Sequence, residues 1–180
     1  MTVYIGLLRG INVGGKNMVK MAELKRVLEG MGLAGVKTYL QSGNFLFVSD
    51  EAAELLAQRI RQEIEGTFGI APSVMLRTAG ELEQIIDACP YAADSLREGE
   101  SIQVSILTES PPENITEVLS AGQDGTDEFH IHGQEIYYLF RQSVLDSKLA
   151  SNVQKLGALA TTRNWNTIVK LAELATAMRS

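Results

Sequence analysis

The chain has 180 residues, 45% hydrophobic and 21% charged, enough to bury a core and ordinary for a globular protein. No apolar run approaches the roughly 20 residues a membrane-spanning helix needs, and a single cysteine, Cys89, excludes an internal disulfide or a cysteine metal cluster. The net charge of −6 argues against nucleic acid as a whole, but residues 1–48 and 141–180 each hold six Lys/Arg against two acids, while residues 49–140 hold four against eighteen.

In chain order, Val3, Ile5 and Leu7 alternate with Tyr4, Gly6 and Leu8, which predicts a strand apolar on both faces and therefore central. The first residues already read as this strand, so a signal peptide is not expected and the protein is expected to be cytoplasmic. A glycine-rich cationic loop, residues 9–20, follows. Leu24, Val27, Leu28 and Met31 then mark an amphipathic helix stopped by Gly30, Gly32 and Gly35. Strands at 36–40 and 44–48 flank the polar turn Gln41-Ser42-Gly43-Asn44. A helix after Ser49-Asp50 carries Leu56, Ile60 and Ile64, and 72–77 reads as a strand. The order is βαββαβ over residues 3–78, the ferredoxin-like split βαβ unit.

A linking helix and a loop around Pro90 occupy 79–100. Ile102, Val104 and Ile106 then alternate as a strand, a helix starts near Pro112-Glu113, and a turn spans Gly122–Gly125. A hairpin at 128–132 and 135–141 turns at Gly133-Gln134. No clean last strand is evident, and 144–159 and 162–178 are expected as helices. The predicted fold is α+β: two ferredoxin-like halves, 1–78 and 101–180, the second with C-terminal helices.

Topology places the functional residues. In a split βαβ unit the loop after strand one and the turn between strands two and three lie at the same end, so Gln41, Ser42 and Asn44 should sit beside loop 9–20. That loop gathers Arg9, Lys16 and Lys20 with Asn12, Asn17, Gly14 and Gly15. Gly10 to Lys16 fits the phosphate-loop spacing G-x-x-x-x-G-K, but Asn17 lacks the magnesium-binding hydroxyl, and Lys16 stands four residues before the helix. A looser anion nest is the alternative, and a loop chosen for backbone freedom is the bland one. Tyr4, Phe45 and Phe47 match the positions of the stacking aromatics of RNA-recognition motifs, but apolar Leu8 on the face of Tyr4 favours core packing for them. A third polar cluster, Thr161 to Thr167, is expected to open the last helix with Thr161 or Thr162 as cap, Trp165 in the buried stripe, and Arg163, Asn164, Asn166 and Thr167 around the first turn. His130 and His132 have no third ligand at metal spacing.

The segments Leu7 to Asn17, Tyr39 to Asn44 and Thr161 to Thr167 together resemble the bacterial family called domain of unknown function 1697, over the full chain. Where that family commonly has a helix-opening proline, this chain has Lys20. The resemblance implies two ferredoxin-like subdomains with C-terminal helices and carries no established activity.

The expected function is binding of a phosphate-bearing small molecule or single-stranded RNA, with no cofactor and no metal. Arg9, Lys16 and Arg163 would neutralise charge, while Asn12, Asn17, Gln41, Ser42, Asn44, Asn164, Asn166 and the glycine amides would orient the ligand. A small-metabolite enzyme using Lys16 or Arg163 against developing negative charge, or a structural module, are the alternatives.

Overall fold

The computed structural model describes residues 1–123 and 125–179; Asp124, within the expected turn at Gly122–Gly125, lies outside the described residues. Contacts divide the chain into unit 1, Met1–Gln84 with Lys170–Ser180, and unit 2, Ile85–Val169, so that both boundaries fall inside helices.

Unit 1 begins β1 (Thr2–Arg9), α1 (Met21–Gly30), β2 (Ala34–Tyr39), β3 (Asn44–Ser49), α2 (Ala53–Phe68) and β4 (Ser73–Thr78). The sheet order is β2-β3-β1-β4, with β1 antiparallel to both β3 and β4, so the doubly apolar strand is central as its sequence requires. One face of this sheet packs on its own helices. Tyr4, Leu8, Phe45 and Phe47 share a cluster with Leu24 and Leu28 of α1 and Leu56, Ile60 and Ile64 of α2. Phe47 stacks on Tyr4 at 5.4 Å and on Phe45 at 6.0 Å. These aromatics are therefore core, as Leu8 on the face of Tyr4 led one to expect, and not an open stacking platform for bases. Gly6, opposite Phe45 across the ladder, lets that ring lie over β1: a Cβ at residue 6 would fall 2.1 Å from Phe45 Cζ.

The chain enters α3 (Ala79–Asp87) directly from β4. Thr78 and Glu81 form a reciprocal cap, Thr78 N donating to Glu81 Oε1 at 2.8 Å and Glu81 N to Thr78 Oγ1 at 3.1 Å.

Unit 2 contains β5 (Ser101–Leu107), α4 (Ile115–Ser120), β6 (Glu128–His132), β7 (Glu135–Phe140), α5 (Lys148–Gln154) and β8 (Ala160–Asn164), before α6 (Trp165–Arg179). Its sheet order β6-β7-β5-β8 repeats that of unit 1, so both are complete βαββαβ units. The expected helix at 162–178 is α6, begun three residues later, whereas the expected helix at 144–159 needs correction. The helical part is only α5 and a short 3₁₀ turn at Gly157–Leu159, and residues 160–164 are the final strand, paired with β5 from Gln103↔Asn164 to Leu107↔Ala160. Two consecutive β-branched threonines favour that extended state. Thr162 also closes a hydroxyl chain: its Oγ1 lies 2.6 Å from Ser105 Oγ, which lies 2.8 Å from Tyr138 Oη. Residues Ile168, Leu171 and Ala175 form the fully buried stripe of α6, while Trp165, expected there, is only half-buried.

Asp127, buried, holds the segment after β7. It accepts Arg141 N at 2.8 Å, Gln142 Nε2 at 3.0 Å and Ser147 Oγ at 2.6 Å. No helix is long and apolar enough to cross a membrane among the described residues.

Candidate functional site

The loop leaving β1 is a miniature hairpin. Lys16 N donates to Val13 O at 2.9 Å and Asn12 N to Asn17 O at 3.1 Å, bracketing a two-residue turn. Gly14 and Gly15, at φ 58° and 73°, supply the two left-handed residues that a type I′ turn needs. Hairpin geometry thus accounts for the glycine pair without a phosphate loop, and in place of an anion nest the loop forms a projecting tip whose residues 13–18 are all exposed.

Asn12, itself at φ 54°, anchors this hairpin. Its Nδ2 donates to Val19 O at 3.0 Å and to Gln41 O at 2.7 Å, and its Oδ1 accepts Val19 N at 2.7 Å. Asn17, also at φ 54°, donates from Nδ2 to Gly10 O at 3.0 Å. On the neighbouring turn, Leu8 N donates to Gly43 O at 2.9 Å, and buried Asn44 donates from Nδ2 to Tyr39 O and to Ser42 Oγ, both at 2.8 Å. A Cβ at Gly43 would approach Ile11 Cδ1 to 2.8 Å. Loop 9–20 and turn 41–44 are therefore one packed apex, as topology required. The asparagines, expected to face a ligand, are committed to internal hydrogen bonds. What the apex turns outward is Lys16, Lys20, Gln41, Ser42 and three apolar side chains, Val13, Met18 and Leu40. Sequence reasoning passed over those three; apolar residues punctuating a polar loop were the available signal.

The third cluster lies in unit 2. Arg163, on β8 opposite Val104, donates from Nη1 to Thr162 O at 3.0 Å. Burial pushes its guanidinium down to about 10, which leaves it charged at neutral pH. Neither threonine caps α6. Asn164 does so, its Oδ1 accepting Thr167 N at 2.8 Å, while Asn166 is exposed on the first turn. A cavity of about 480 Å³ in unit 1, lined by Thr2, Val3, Thr78 and Gly80 among others, lies at the opposite end of β1 from the apex and includes none of the expected ligand residues. The lone Cys89 is half-buried, donating from Sγ to Tyr91 O at 3.6 Å, and burial raises its thiol pKa.

The two units meet their first strand in the same way. Leu107 N donates to Gln134 O at 2.8 Å in unit 2, the counterpart of the bond from Leu8 N to Gly43 O. Yet the loop leaving β5, Thr108 to Asn114, has two glutamates and no Lys or Arg, whereas residues 9–20 have three cations and no acid.

Fold and apex together define an α+β protein of two ferredoxin-like units, one of them bearing a cationic hairpin. The chain belongs to the family described as "Protein of unknown function (DUF1697)", whose model matches residues 1–137. It is similar in fold to the conserved bacterial protein SP0830 from Streptococcus pneumoniae, with a TM-score of 0.75 and 22% identity over 97% of this chain and 98% of that one. Among curated proteins none matches.

Proposed function

We propose that the apex of unit 1 binds a phosphate-bearing ligand, and that an extended nucleic-acid backbone suits it better than an enclosed mononucleotide. The contrast between the two loops carries this reading. One scaffold closes the same junction twice, once with an acidic seven-residue link and once with a cationic hairpin, so the fold alone does not require the hairpin. The charge of each unit points the same way: unit 1 has eleven Lys/Arg against ten acids, and unit 2 five against twelve.

Preorganisation adds support. The asparagine bonds hold the tip in place before any ligand arrives, which lowers the ordering cost of binding. Exposure of residues 13–18 suits a surface that meets an extended strand instead of wrapping a small molecule. In this reading Arg9, Lys16 and Lys20 neutralise phosphates, Gln41 and Ser42 add polar contacts, and Asn12, Asn17 and Asn44 keep the scaffold in shape. It rests on the first two clusters alone, and cytoplasmic residence belongs to the same proposal.

Ligand-induced thermal shift across nucleotides, phosphosugars and short oligonucleotides tests it, because a ligand that binds the native state raises its stability. Oligonucleotides are expected to raise the melting temperature at low salt. No shift with any phosphate compound would overturn the proposal.

A further inference from the structure

Three of the large apolar side chains left exposed by the fold come from this one apex: Val13 at 65%, Met18 at 66% and Leu40 at 52%. Leu40 is misplaced on two counts. Its backbone sits at φ 60°, a conformation that glycine or asparagine adopts with far less strain. Its side chain, half in water, recovers little by burial. Strain of this kind, held by well-packed surroundings, points from an observed outlier toward function.

The Asn12 side chain joins the three positions. It is the chain neighbour of Val13, it bonds both backbone groups of Val19 next to Met18, and it bonds the carbonyl of Gln41 next to Leu40. The apolar side chains thus share one hydrogen-bonded frame with Lys16 and Lys20, and residues 9–20 and 38–44 contain no acid.

We propose that Val13, Met18 and Leu40 form an aliphatic platform for the unstacked bases of a single-stranded nucleic acid, whose phosphates are taken by Arg9, Lys16 and Lys20. This rests on the phosphate-binding reading above and narrows it. A duplex turns its phosphates outward and hides its base faces, so an apolar patch gains nothing against it. A single strand shows base faces and phosphates side by side, matching the alternation of apolar and cationic groups here. With Tyr4, Phe45 and Phe47 in the core, base contact falls to aliphatic side chains, which implies weak sequence preference.

The test is fluorescence anisotropy with a labelled mixed-sequence oligonucleotide, single-stranded and as its duplex, on wild type, Leu40→Gly and Met18→Ala. Leu40→Gly relieves the strained backbone, so its melting temperature should hold or rise while single-strand affinity falls roughly tenfold, the size of one aliphatic contact. Met18→Ala should act in the same direction, with duplex binding and salt dependence unchanged. Salt-dependent binding that ignores both substitutions, or equal affinity for strand and duplex, overturns the platform and leaves phosphate binding standing. A thermal shift from small phosphate compounds without oligonucleotide binding does the same. Absence of response to every phosphate compound overturns both. If Leu40→Gly lowers the melting temperature, Leu40 is structural; unchanged single-strand affinity in Met18→Ala then overturns the platform.

Discussion

The side-chain amide of Asn12 reaches the main-chain carbonyl of Gln41 at 2.7 Å, tying together positions 29 residues apart in the chain. That single donor links the hairpin after β1 to the β2–β3 turn, and the same side chain closes the hairpin base onto Val19. Asn12→Ala removes three hydrogen bonds and puts at φ 54° a residue that tolerates the left-handed region less well than asparagine. The expected loss is about 2–3 kcal/mol, a fall in melting temperature of roughly 5–10 °C by calorimetry. A variant as stable as wild type would show that Asn12 does not organise the apex.

Gly6→Ala should be the most damaging small substitution in β1. Its Cβ would lie 2.1 Å from Phe45 Cζ, in a stack of rings that cannot retreat without displacing Phe47 and Tyr4. A loss of about 3 kcal/mol or more is expected in chemical denaturation, partly restored by Phe45→Leu. Undiminished stability in Gly6→Ala would contradict the packing described for this sheet.

Asn164→Ala should cost about 1 kcal/mol by exposing the first turn of α6 uncapped, while Asn164→Asp, which keeps the acceptor for Thr167 N, should cost little. Thermal unfolding distinguishes the two, and neither substitution should alter oligonucleotide affinity. Equal loss in both would place the role of Asn164 elsewhere.

Alkali should unfold the protein through its phenols. Burial, with help from Glu128 and opposition from Arg141, pushes Tyr91 up to about 12, and burial also raises Tyr4, Tyr137 and Tyr138. The folded state therefore holds these protons more tightly than the unfolded chain. The contribution of Tyr91 is fully present below pH 10 and is lost as pH rises through about 12, and those of the other three are likewise lost only above the ordinary phenol range. Phenolate absorbance should show a step near pH 12 that Tyr91→Phe removes; ionisation of every tyrosine near pH 10 would contradict the burial.

Much of this was legible in the residues. Period-two alternation fixed β1 as a buried centre, and split βαβ topology alone brought Gln41 to loop 9–20. Three things were not. Ala160 to Asn164 shows no alternation of apolar and polar residues, and its pairing with β5 is a long-range contact that local pattern cannot register. The amides of Asn12 and Asn17 looked like ligand groups because nothing local reveals that their partners are Val19, Gln41 and Gly10. Leu40 looked like the end of a strand, since a positive φ on leucine has no signature in composition.

The most direct test of the account is the salt dependence of oligonucleotide affinity in wild type and in Lys16→Ala. Log affinity should fall linearly with log salt, and removing the hairpin cation should make that slope shallower by about one. Affinity indifferent to salt, or an identical slope in Lys16→Ala, would contradict a hairpin that receives phosphate.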